Sequence, residues 1–198
     1  MIPRHLQIAL IFMLIAALAL GIYVGRMRGR ERIARTSDTY NRPVAPPVSG
    51  PTEQVTLYVA DDDAGTLRAQ AARIPLPAGR QQRAQELLRA LLDLYLDKSS
   101  THPLAPGADI RSIYLVDPGL VVIDLNAAFA DNHRSGILVE ELTVTSLVQT
   151  LSANIPGITR VKILVDGKQR DTLAGHADLS DFYDVAAVGQ LVSQLQNN

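Results

Sequence analysis

The chain has 198 residues, 47% of them hydrophobic, which is enough apolar material for one sizeable core. It contains no cysteine, so disulfide frameworks, thiolate metal sites, thiol nucleophiles and a lipid-modified cysteine are all excluded. The net charge of −1 hides an asymmetry: residues 1–35 hold six arginines against Glu31, while the remainder carries thirteen basic and nineteen acidic groups. An acidic domain of that kind repels a phosphate backbone and argues against nucleic-acid binding.

Leu6 to Val24 is an uncharged run, LQIALIFMLIAALALGIYV, with Gln7 as its one strongly polar residue. At about 1.5 Å per residue, a helix of this length nearly crosses a hydrocarbon core of roughly 30 Å. Residues 1–35 are therefore expected to be a transmembrane signal anchor with a basic flank. Ala17-Leu18-Ala19 has the small-x-small form of a cleavage site but lies inside the apolar run, so a cleaved signal peptide is the rival reading. Five arginines follow the run, and charge alone would place the rest of the chain in the cytoplasm. Residues 36–52 include Pro43, Pro46, Pro47 and Pro51 and read as an extended linker.

From Glu53 the pattern becomes that of a folded domain, expected over 53–184. Val55, Leu57 and Val59 alternate as in a strand. Asp61-Asp62-Asp63-Ala64-Gly65 reads as a solvated turn, and 67–74 as the returning strand. Arg80 to Leu96 is a strong helix whose apolar face holds Ala84, Leu87, Leu88, Leu91, Leu94 and Tyr95. Strands at 110–116 and 120–124 flank Asp117-Pro118-Gly119, a type II turn signal. A short irregular or helical link spans 125–129. A second helix runs from about Gly136 to Asn154, although Thr143, Val144 and Thr145 are poor helix formers that only tertiary packing can hold there. Val161, Ile163 and Val165 form a strand, and Asp166-Gly167 signals a hairpin with a short return strand. The tail, 185–198, is amphipathic and suits a terminal helix. The expected fold is α+β, with order β-β-α-β-β-α-β-β, a mainly antiparallel sheet and two helices on one face.

Chemistry-bearing motifs are sparse. His5, His102, His133 and His176 lie in separate segments, without an HExxH or HxH pair. The aspartate triplet lacks the ligand spacing of an EF-hand loop. Neither GxSxG, SxxK nor a glycine-rich phosphate loop occurs. Asp117, Asp124 and Asp166 sit at strand ends, where they could converge for acid–base work; Asp124 is better read as fixing the link after it and Asp166 as a turn residue. His176 beside Gly175 reads as a loop histidine, with ligand binding as the alternative. No catalytic, metal-binding or cofactor-binding residue is expected.

Four stretches in this order resemble the GerMN domain of spore germination and sporulation proteins. They are Val55-Thr56-Leu57-Tyr58-Val59, Glu86 to Leu92, Val122-Ile123-Asp124-Leu125-Asn126 followed by Phe129, and an end running from Thr150-Leu151 through Val161 to Gly167 and then Leu173 to Ser180. The family often carries tandem copies, whereas one is present here, and Asp181-Phe182-Tyr183 stands where it usually has a proline. The resemblance marks Asp124, Phe129, Thr150, Leu151, Asp166, Gly167, Gly175 and His176 as signature positions of a structural kind. It implies a non-enzymatic, extracytoplasmic module tethered to the bacterial inner membrane, with envelope proteins or further copies of itself as partners. That placement opposes the charge signal, and the expectation adopted is the extracytoplasmic one.

Overall fold

In a computed structural model, residues 50–116 and 118–196 are described. The 6–24 segment, most of the linker and Asp117 lie outside the described residues, and among those that are described no helix is long and apolar enough to cross a membrane. The elements are β1 (Thr52–Asp61), β2 (Thr66–Pro75), α1 (Arg80–Leu96), β3 (Ile110–Val116), β4 (Leu120–Leu125), α2 (Ala127–Asp131), α3 (Ile137–Asn154), β5 (Arg160–Val165), β6 (Tyr183–Asp184) and α4 (Val185–Gln196). The fold is mixed α+β.

The strands make two sheets, an antiparallel β1–β2 hairpin and a four-stranded sheet in the order β3-β4-β5-β6. The pairing is mainly antiparallel, as expected, but it is divided between two sheets rather than one, and β4 and β5 are parallel. The eighteen residues of α3 carry the chain back along the sheet, so β5 starts from the same end as β4. The type I′ turn forms at Asp166-Gly167, where φ is 51° and 71°, but the expected return strand shrinks to a single bridge between Val165 and Lys168. The strand that does pair with β5 is the two-residue β6.

Side-chain alternation sets the core. Val121, Ile123 and Leu125 lie beside Val161, Ile163 and Val165 in register, all buried, while Tyr114, Lys162 and Arg160 point to the other side. The predicted stripe of α1 is inside, with Leu87, Leu88 and Leu91 fully buried and Leu94 partly so. Gly119 closes the β3–β4 turn with φ +75°, and a side chain there would meet Gly157 O and Thr159 Oγ1 at 2.7 Å.

Polar side chains along α3 have a tertiary task. The edge of β1 that faces away from β2 lies against α3, and its backbone groups need partners. Tyr58 N–H donates to Thr150 Oγ1 (3.0 Å), and Thr56 N–H donates to Asn154 Oδ1 (3.1 Å) while Asn154 Nδ2 returns a bond to Thr56 O (2.7 Å). Ala60 N–H donates to the Tyr95 hydroxyl, which also bonds Ser146 Oγ. Ser146, Thr150 and Asn154 recur every four residues, one per helical turn, and match the spacing of the strand's outward amides. The edge of β3 is likewise closed: Gln81 takes Leu115 N–H and donates to Ile113 O.

Candidate functional site

The signature positions divide by what they touch. Asp124 is buried, and its carboxylate accepts Gly167 N–H (2.7 Å), tying β4 to the turn after β5. A bulge between Ile110 and Ser112 leaves Arg111 unpaired in the ladder, and its guanidinium lies 3.8 Å from Asp124 and 2.8 Å from Asp166. Asp124 and Asp166 do meet, then, but around a cation that binds both. Asp117 lies outside the described residues. Phe129 is buried and stacks on His133, with its N–H capped by Asn126 Oδ1. Thr150 and Leu151 are buried on α3.

The aspartate triplet opens the turn expected, but only Asp63 of the three is exposed. Asp61 is buried and pairs with Arg68 (3.0 Å). Asp62 binds His102 Nδ1 (2.6 Å) and Arg134 (2.7 Å). His102 Nε2 and His133 Nε2 both reach the Thr143 hydroxyl at 2.7 Å. Burial pushes both imidazole pKa values down from 6.5, against the pull of Asp62 on His102 and of the Arg134 carbonyl on His133. The order Asp–His–Thr has the outline of a nucleophile relay. Thr143, however, is fully buried and its hydroxyl donates to Val139 O (3.0 Å), so it presents no oxygen to a substrate. The cluster ties three connections, β1–β2, α1–β3 and α2–α3, to one another and to α3. Among the described residues no group of three or more potential metal ligands converges.

Gly175 and His176 belong to a different construction. Its centre is Glu140, a fully buried carboxylate in the first turn of α3. One oxygen accepts the N–H groups of Ala174, His176 and Ala177, each at 2.9 Å. The other accepts Gly136 N–H (3.1 Å) and faces His176 Nδ1 (2.9 Å). Burial alone would raise the pKa of this carboxyl, but the imidazole and the amides outweigh burial and hold it down to about 2. Gly175 makes the knot possible. Its φ of +122° lets the amides on either side of it, those of Ala174, His176 and Ala177, meet on a single oxygen, a conformation that a side chain would strain.

The knot fixes the segment 173–184 against α3, and the segment in turn walls a groove of about 560 Å³. Ile137, Glu141, Val144 and Thr145 supply one side from α3, and Ala187, Val188 and Leu191 another from α4. Asp178, Asp181 and Phe182 line the third, with His176 at the rim. Two large apolar side chains stand open there, Ile137 at 71% exposure and Phe182 at 46%. From the sheet side, Arg160 and Lys162 lie 5.3 and 5.6 Å from the centre of the Phe182 ring, and Lys162 also donates to the carbonyls of Leu179, Ser180 and Asp181.

The sequence offered no signal for Glu140. It is one of two adjacent acids on a helix, and nothing local says which is inside. Phe182 and Ile137, 45 positions apart, are brought together only by the fold.

Comparison with known proteins agrees with this architecture. No match is found among curated proteins. The tandem GerMN domains of the sporulation protein GerM from Bacillus subtilis match with 19% identity and a TM-score of 0.51, over 68% of this chain and 46% of that one. The first of those domains alone matches with 18% identity and a TM-score of 0.48, over 67% and 97%. A Clostridium perfringens protein named as a candidate lipoprotein matches with 22% identity and a TM-score of 0.46, over 72% and 93%. The family model "Germane: Sporulation and spore germination" matches residues 56–171, which span β1 to the turn after β5 and more than half of the chain. The chain belongs to the sporulation and spore germination family built on the GerMN domain.

Proposed function

We propose that this protein is a membrane-anchored, non-enzymatic interaction module of a bacterial envelope assembly, held outside the cytoplasmic membrane by its N-terminal segment. The observation that carries the docking role is the groove between α3, α4 and the 176–184 segment. Exposed Ile137 and Phe182 flank it, while Glu140 holds its wall rigid. Apolar side chains left open on a fixed wall suit association with another polypeptide. The non-enzymatic reading is supported by what the acids do. Asp124 and Asp166 are tied by Arg111, and Glu140 is saturated by amides, so none is poised to exchange a proton with a substrate. Anchoring is supported by the apolar run at 6–24 and the proline-rich spacer behind it.

The groove is also large enough for a small molecule such as a wall fragment, which is the second reading. One experiment separates the two. Ile137→Asp with Phe182→Asp, expressed at the wild-type level in the source organism, is expected to reproduce the envelope defect of a deletion and to release the protein from its complex on a native gel. An unchanged complex would refute the docking role. A defect with the complex intact would favour the small-ligand reading.

A further inference from the structure

The groove carries more information than its apolar floor. Among the residues that line it, Glu141, Asp178, Asp181 and Asp184 are carboxylates, and none is a lysine or arginine. Glu141 comes from α3 and the other three from the fixed segment, so the acids stand on two walls of the groove. Their hydrogen bonds are local. Asp178 accepts from Ser180, Asp181 from Phe182 N–H, and Asp184 from Ala187 N–H, and no salt bridge to a cation is made by these four among the described residues. The nearest cations, Arg160 and Lys162, are held on the sheet side, with the Lys162 ammonium placed against three carbonyls. Lys162 offsets part of the charge on Asp178, and the groove presents an apolar floor inside a rim that is negative on balance.

Its shape narrows the occupant. Ile137, Glu141 and Val144–Thr145 fall on one stripe of α3 over two helical turns, and Ala187, Val188 and Leu191 on one stripe of α4. Two helix flanks meeting over a third wall make a trough about as long as two turns of a partner helix, roughly 12 Å. Resting on the docking role proposed above, we infer that the partner is a cationic amphipathic segment of another polypeptide. A row of apolar side chains enters the trough, and lysine or arginine side chains on its flanks meet Glu141, Asp178, Asp181 and Asp184. The anionic rim rejects an acidic helix with the same apolar row, because that occupant sets carboxylate against carboxylate over an apolar floor.

The test uses the full chain in zwitterionic lipid nanodiscs, with empty discs as the blank. Three synthetic 14-residue helical probes share one architecture: a leucine row flanked by lysines, the same row flanked by glutamates, and a serine row flanked by lysines. Each carries one photoreactive residue in the row. The leucine–lysine probe is expected to bind at least tenfold tighter than either other probe, to weaken as salt is raised, and to crosslink to the segments around Ile137, Phe182 and Leu191. Glu141→Lys with Asp181→Lys, with circular dichroism unchanged, is expected to weaken it at least tenfold and to strengthen the glutamate probe. Equal binding of the lysine and glutamate probes, or indifference to the double reversal, overturns the charge assignment while leaving the docking role standing. Crosslinks confined to other surfaces overturn both.

Discussion

Glu140→Gln removes one charge from the centre of the molecule while keeping its shape. In the native protein Oε2 accepts three backbone N–H groups, and Oε1 accepts Gly136 N–H and faces His176 Nδ1. A glutamine can leave its carbonyl oxygen with the three amides of 174–177. Its NH₂ then meets Gly136 N–H donor to donor, and every remaining bond loses its ionic character. A lost bond to a charged acceptor, with a buried donor left unmatched, costs about 2–3 kcal/mol. Linkage gives an independent figure. A carboxyl whose ordinary value is 4.5 and whose folded value is about 2 contributes about 3 kcal/mol when ionised. The folded value is the lower one, so this stability is fully present above pH 4.5 and is lost as pH falls from 4.5 toward 2. The assay is urea denaturation of residues 48–198, followed by circular dichroism at steps from pH 7 to pH 3.5. At pH 7 the variant should be about 2–3 kcal/mol less stable than the wild type, and the gap should narrow steadily below pH 4.5. A gap under about 0.5 kcal/mol at pH 7, or one that does not change with pH, would refute the role given to Glu140.

Other consequences are open to measurement. Residues 48–198 should unfold in one cooperative transition, because all the described elements contribute to one core; a broad transition would count against this. Leu91→Ala, at a fully buried position of α1, should cost about 2–5 kcal/mol in the same fragment. Thr150→Val keeps the volume but strands Tyr58 N–H, so it should cost about 1–3 kcal/mol and raise hydrogen exchange at that amide. His102 and His133 have folded pKa values below 6.5, so their contribution is present above pH 6.5 and lost as pH falls beneath it; His133→Phe should flatten the pH 5–7 part of the stability profile. Protease added to intact spheroplasts should digest the domain, and protection until lysis would place it in the cytoplasm.

The parts of the fold legible in the sequence were those specified by local pattern. The stripe of α1 has helical spacing and no competitor, and β3–β4 is bracketed by a turn whose proline and glycine dictate its geometry. What eluded sequence reading was set by partners distant in the chain. Parallel pairing of β5 with β4 depends on where α3 delivers the chain. The Asp166-Gly167 turn formed, but Asp124 and the Leu125 carbonyl took its amides, and no second strand was needed to hold it. Thr143 read only as a weak helix former, and the bonds of Ser146 and Thr150 went unseen, because their use, in meeting a strand edge and two imidazoles, exists only in three dimensions. Of the signature positions, Asp124, Phe129 and Thr150 hold the frame together, while Gly175 and His176 sit where the frame meets the groove.

The claim that the α3–α4 groove is the docking surface is tested most directly by site-specific photocrosslinking in intact cells. A photoreactive residue is placed at Ile137, at Phe182 and, as a control, at Leu76, which is exposed at 54% but does not line the groove. The account predicts one discrete, heavier protein adduct shared by positions 137 and 182, absent at 76, and lost when Glu141→Lys and Asp181→Lys are introduced. Equal adducts at all three positions, or none at 137 and 182, would contradict it.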